Sequence, residues 1–256
     1  MTRALGRLLL ATAVLMVLWQ LVTLAGVPRY MLPSPVAVLE TLIARAELLV
    51  EHGLITLGEI LAGFVCGSLL GVATALVLSR WQFLRATVLP LLLISQAIPV
   101  FAIAPLLVLW FGYGPGSKVV MATLIIYFPV ASTCYDGLRQ TEPGWLDLAR
   151  TMGASPARRL LRVQLPAALP ALASGLRMAA TAAPIGAIIG EWVGSSAGLG
   201  YLMLQANGRM QTDLMFAALA VLVVMTVTLY FGVDRLCRTL MPWQPDRLRE
   251  GGAAPP

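Results

Sequence analysis

Lysine is nearly absent from this chain: 17 of its 18 basic residues are arginine. Charge of either sign is scarce too, at 12% of 256 residues against 59% hydrophobic. A soluble domain carries about 25% charged and 45–50% apolar residues, so this balance excludes an ordinary water-soluble core and points to lipid. The net charge of +6 does not indicate a nucleic-acid surface, because the arginines form no single long patch. The three cysteines, Cys66, Cys134 and Cys237, are far apart, which excludes a disulfide framework and a C-x-x-C metal pair. Histidine occurs once, at His52. With no Ser-x-x-Lys element and no carboxylate pair inside a predicted span, enzymatic chemistry has little footing. A nucleotide-binding loop is missing as well. The stretch Gly112–Lys118 lacks the Gly-Lys-Ser/Thr order and reads as a turn.

Long apolar runs, by contrast, are plentiful. About 20 apolar residues cross a hydrocarbon core of about 30 Å as a helix. Six stretches qualify: Leu8–Ala25, Leu57–Ser79, Ala86–Phe111, Val119–Tyr135, Ala167–Gly190 and Leu214–Gly232. The first, at 18 residues, exceeds the hydrophobic region of a signal peptide and is read as a retained span. An even number of spans puts both termini on one side. With the N-terminus inside, the inner segments hold thirteen basic residues and the outer ones only Arg29, Arg45, Lys118 and Arg209. The positive-inside rule therefore places both ends in the cytoplasm. The fold class expected is an all-α polytopic membrane protein of about six spans, a single domain over 1–256. Its core covers about 57–232, a cytoplasmic helical hairpin about 136–166, and a disordered tail 246–256.

Within this layout, Ser34 and Pro35 offer an N-cap and first helical residue. The apolar stripe Val36, Leu39, Ile43, Ala46 and Val50 then predicts an amphipathic helix lying on the outer surface. His52 falls in the same connector as a solvated residue. Gly63, Gly67 and Gly71, four apart, put small residues on one helix face for close backbone approach. Pro90, Pro99, Pro105, Pro129 and Pro184 interrupt spans and free carbonyls. That is tolerable only inside a bundle or beside a wet cavity, and it favours a transporter over a simple anchor.

The arginine-rich insert between the fourth and fifth spans is the most informative segment. Trp145, Leu148, Ala149 and Met152 form one apolar stripe at helical spacing, with Asp147, Arg150 and Thr151 turned away. Gly153 suits the left-handed position that ends a helix. Ser155 and Pro156 start a second helix bearing Arg158, Arg159 and Arg162, and Pro166 ends it. Burying Trp145, Leu148 and Met152 is worth roughly 1.5–3 kcal/mol each, so the stripe calls for a partner. That partner is either the underside of its own bundle or a groove on another protein.

The insert resembles the cytoplasmic coupling loop of ABC importer permeases, whose signature is Glu-Ala-Ala, three residues, Gly, nine residues, Ile-x-Leu-Pro. Here Asp147-Leu148-Ala149 is followed after three residues by Gly153, and after nine more by Val163-Gln164-Leu165-Pro166. Ile98-Pro99, Ala104-Pro105, Leu109-Trp110-Phe111-Gly112 and the run from Gly190-Glu191-Trp192 to Tyr201 resemble the nitrate, sulfonate and taurine subfamily. The segment Gly186–Asp213 is similar to permeases for pyrimidine precursors of thiamine, such as hydroxymethylpyrimidine. The resemblance implies an inner-membrane subunit with no cofactor of its own. It implies a cytoplasmic ABC ATPase dimer that binds ATP-Mg, a second permease copy in a homodimer, and a periplasmic or lipid-anchored solute-binding protein.

Polar groups in the spans supply candidates for a translocation path or gate. Ser95, Gln96 and Pro99 sit at a helix break; Tyr127 and Thr123 share a face; Glu191, Trp192, Gln205 and Asn207 flank the last outer loop. Arg177 is the one charge read as deep in a span, with a stem able to snorkel toward the cytoplasm. This scarcity of titratable groups weighs against the alternative, a secondary carrier or channel working alone.

Overall fold

The computed structural model describes residues 2–95 and 98–243. Every regular element among them is helical. In chain order these are α1 (Thr2–Leu24), α2 (Pro35–Ala44), α3 (Ala46–Arg80), α4 (Gln82–Ser95), a 3-10 turn (Val100–Ile103), α5 (Ala104–Phe111) and α6 (Pro115–Arg139). They continue with α7 (Pro143–Thr151), α8 (Pro156–Arg159), a π-turn (Leu160–Gln164), α9 (Leu165–Gly194), α10 (Leu199–Gly208) and α11 (Thr212–Leu240). Among the described residues, four helices are long and apolar enough to span a bilayer: α3, α6, the continuous α8–α9 rod, and α11. The chain is an all-helical, polytopic membrane protein.

Three features depart from the sequence expectation. The span expected from Leu57 begins at Ala46, so the second half of the outer connector, His52 included, is the first part of α3. Glu47, Glu51 and His52 lower the local hydropathy there and hide a helix that continues past the hydrocarbon. At about 1.5 Å per residue its 35 residues reach about 52 Å, well over the thickness of the core. Second, α2 forms on the expected cap, Ser34 accepting from the Ala37 N–H, but ends at Ala44, so the expected stripe is divided between α2 and α3. Val38 is buried against the α10–α11 cluster while Val36, Leu39 and Ile43 stay exposed. Third, the apolar run Ala86–Phe111 is not one span. It breaks into α4, the 3-10 turn and α5, with Pro99 capping the turn in an extended conformation. The expected tail lies outside the described residues.

The core is a three-helix stack with α6 in the middle. Gly63, Gly67 and Gly71 of α3 lie in order against Ala122, Ile126 and Val130 of α6, so the two helices run parallel. A Cβ at Gly67 would stand 2.8 Å from the Ile126 Cβ, and one at Gly71 2.9 Å from that of Val130. On the other side α9 runs antiparallel, with Gly186 against Ala122 and Gly190 against Lys118. Lipid gives no hydrophobic drive to helix association, so such backbone proximity and its dispersion contacts are what hold the stack. The antiparallel crossing puts α7 and α8 at one end of the bundle and α10 at the other.

Candidate functional site

At the loop end, local chemistry shapes the hairpin. Gly153 has φ +73, and its neighbour closes the helix with an Ala154 N–H to Ala149 carbonyl bond of 2.9 Å. Ser155 accepts from the Arg158 N–H at 3.4 Å, with Pro156 as the first helical residue. Asp147 pairs with Arg150 at 2.6 Å, away from the stripe. Trp145, Leu148 and Met152 are 54%, 61% and 77% exposed, so the stripe is not spent on the bundle's own underside. Leu146 faces inward instead, lining a small groove with Ser79, Arg80 and Arg159. Trp145 edges a larger open groove of about 800 Å³ whose walls include Thr141, Arg162, Pro166 and Trp243.

Pro166 does not end the second helix as expected. The chain passes through the π-turn Leu160–Gln164, the Leu165 N–H reaching back to the Leu160 carbonyl, and enters α9 unbroken. The wider turn makes room for a proline ring that would crowd the carbonyl four residues back in a regular helix.

At the opposite end sits a cluster that sequence reasoning missed. Lys118 is 1% exposed, and its Nζ donates to the carbonyls of Tyr113, Gly114 (2.9 Å) and Gly194 (2.5 Å). It thereby places a cation on the last carbonyl of α9, the negative end of that helix. Glu191, also 1% exposed, does the converse for α10. Its Oε2 accepts the backbone N–H groups of Gly200 (2.6 Å) and Tyr201 (3.3 Å), while Oε1 accepts the Thr56 hydroxyl at 2.6 Å. Thr56 in turn accepts the Leu199 N–H at 2.8 Å. Gly198, at φ +109, crosses so close over Glu191 that any Cβ would strike the carboxylate. Glu59 of α3, 5% exposed, lies within side-chain interaction range of Glu191 and Lys118, and among the described residues its Oε2 has no hydrogen-bond partner.

A carboxylate pair and a lysine are thus buried between helices, which corrects the expectation that Arg177 is the only deep charge. His52 is corrected as well: its Nδ1 accepts the Gly198 N–H at 2.9 Å. A signal was present. Glu59 continues the glycine row four residues before Gly63, and Lys118 stands four residues before Ala122, on the face of α6 that packs against it. Spacing would have placed both inside; counting charge per loop placed Lys118 in water.

The remaining candidates are dispersed. Arg177 Nε pairs with Asp234 of α11 at 2.7 Å, and Asp234 also holds Arg238 at 2.8 Å. Tyr127 donates to the Thr74 hydroxyl of α3 at 3.1 Å. Ser95 ends α4 and Gln96 lies outside the described residues. Trp192 and Asn207 are exposed, and Gln205 donates to the Tyr201 hydroxyl.

An all-helical bundle of this kind, with an arginine-rich hairpin presenting apolar side chains between two spans, is built as the membrane half of a machine whose other half lies outside lipid. The chain belongs to the family described as binding-protein-dependent transport system inner membrane component, which it matches over residues 63–243. It is 61% identical to a probable ABC transporter permease protein of Haemophilus influenzae, covering 89% of this chain and 94% of that one. It is 36% identical to the formylaminopyrimidine transport permease protein ThiX of Halalkalibacterium halodurans, covering 90% and 92%. To the taurine transport system permease protein TauC of Escherichia coli it is 30% identical, covering 90% and 86%. Among solved structures, the inward-facing MetNI methionine ABC transporter shares the fold at TM-score 0.67 and 23% identity, over 77% of this chain and 98% of that one.

The protein is therefore an inner-membrane, multi-pass permease subunit of a binding-protein-dependent ABC importer for a small solute. It is not itself the enzyme, since ATP hydrolysis belongs to a separate subunit, and transport systems of its family depend on a binding protein. The reading as a carrier working alone gives way, even though the bundle holds more buried charge than that argument allowed.

Proposed function

We propose that residues 136–166 are the coupling loop and that Trp145, Leu148 and Met152 seat in a groove on the cytoplasmic ATPase, with Asp147, Ala149, Gly153, Leu165 and Pro166 fixing the loop's shape. The observation that carries this is the exposure of three large apolar side chains on a short helix that starts at Pro143 and is closed by the turn at Gly153. Helix-in-groove recognition needs such a preformed stripe. The whole chain acts as one permease domain with both termini cytoplasmic, and two copies pair with two ATPases. The core 57–232 encloses the path, with Ser95, Gln96, Pro99, Tyr127, Arg177, Glu191, Trp192, Gln205 and Asn207 as its candidate lining. The ATP-Mg of the cycle is held by the ATPase.

For the cargo, we infer a small heterocyclic or anionic nutrient handed over by an outer binding protein. Relatives named for formylaminopyrimidine and taurine support that range. Co-expression with the ATPase tests the coupling role. Leu148→Glu should abolish ATPase co-purification and uptake while the permease still inserts; full retention of both would sink the assignment. Calorimetry on the cognate binding protein, with hydroxymethylpyrimidine and taurine as probes, tests the cargo.

A further inference from the structure

The charge partition leaves four cations on the side away from the arginine-rich loop. Two are spent within the fold: Lys118 on backbone carbonyls, and Arg29 on Asp213 at 2.8 Å. The other two, Arg45 and Arg209, come from segments far apart in the chain, yet both line one cavity of about 210 Å³ between α3, α10 and α11. Among the described residues neither guanidinium is ion-paired, and no carboxylate lines the cavity.

The remaining walls are held from behind by the buried cluster. His52 accepts the Gly198 N–H on Nδ1, which leaves its Nε2 carrying the ring proton as a free donor. Tyr201 has its backbone N–H on Glu191, and its phenol oxygen accepts from Gln205, so the phenol proton is available. The His52 and Tyr201 rings stack, with centroids 6.1 Å apart and planes at 26°. Two forked cations, two neutral donors and an aromatic wall, with no opposing negative charge, suit a planar or tetrahedral oxyanion carried on a small organic body.

We propose that this cavity is a subsite for a small organic sulfonate or carboxylate, at the end of the bundle where solute is delivered. Its place in transport rests on the importer reading above; the binding itself does not.

The test uses the full chain in neutral phosphatidylcholine nanodiscs, with 4-fluorobenzenesulfonate as probe and 4-fluorobenzyl alcohol as its uncharged counterpart, read by fluorine NMR. The sulfonate should bind saturably and the alcohol should not. Arg45→Gln and Arg209→Gln should each weaken the sulfonate about tenfold and the double variant should abolish binding. On the unaltered chain, raising KCl from about 0.05 to about 0.5 M should weaken the sulfonate several-fold, which needs no variant to fold. Equal binding by the double variant, no salt effect, or equal binding of the alcohol would each overturn the proposal. Loss of probe binding in discs containing phosphatidylglycerol would assign the site to a lipid headgroup and overturn it too. A Leu148→Glu chain should bind the probe normally, so failure of the coupling role and failure of this site would be seen separately.

Discussion

The two ends of the bundle invert the ordinary rule in opposite directions. At the loop end, large apolar groups are left largely in the open: Trp145, Leu148 and Met152 are each more than half exposed. At the far end, groups that belong in water are sealed away: Lys118, Glu191 and Glu59 are buried among three helices. An exposed apolar stripe costs folding little and is cashed in only when a partner arrives. A buried charge cluster costs a great deal unless every member is matched, and it rigidifies what it joins. On the proposed coupling role, one end serves association and the other internal position.

Substitutions should separate the two. The largest effect is expected from Lys118→Met, which strips three carbonyls of their donor and removes the buried cation beside Glu59 and Glu191. Removing one partner of a buried ionic group costs about 3–5 kcal/mol, so thermal unfolding of the purified chain in detergent should fall steeply. A shift too small to resolve would show that the cluster is not sealed. Next comes Gly67→Val, whose first added carbon already lies 2.8 Å from Ile126. Forcing α3 and α6 apart should cost about 1–3 kcal/mol in the same assay.

Met210→Gly should act the other way. Met210 closes α10 with φ +57, a conformation that costs a non-glycine residue about 1 kcal/mol. Relieving it should raise the melting point slightly, and a drop would mean its side chain contributes more than its strain. The smallest stability change belongs to Leu148→Glu. An exposed site away from caps and core moves within about 0.5 kcal/mol, so this variant should melt like the parent. Should it unfold early, the stripe is part of the fold after all, and the contrast between the ends collapses.

How much of this could be read from sequence follows the reach of the interactions. The turn of the hairpin was legible to the residue, because a helix stop at Gly153, a start at Ser155-Pro156 and a stripe at three and four spacing depend on neighbours only. The glycine row was legible for the same reason. What escaped was tertiary. His52, Thr56, Glu59, Lys118 and Glu191 come from three helices, and no local pattern announces that they meet. The π-turn before Pro166 was equally invisible: a proline ordinarily signals a helix end, and only the fold reveals the one extra residue per turn that lets the helix pass it.

That turn has a mechanical consequence. Because it keeps the helix from Pro156 to Gly194 in one piece, the 39 residues form a strut of about 58 Å, free of any loop that could absorb motion. Its lower tip carries the hairpin and its upper tip holds the carbonyl on which Lys118 rests. A few degrees of tilt imposed below swings the upper tip by several ångströms. In the proposed coupling role this helix is a connecting rod, carrying force applied at the hairpin to the other end of the bundle without a relay in between.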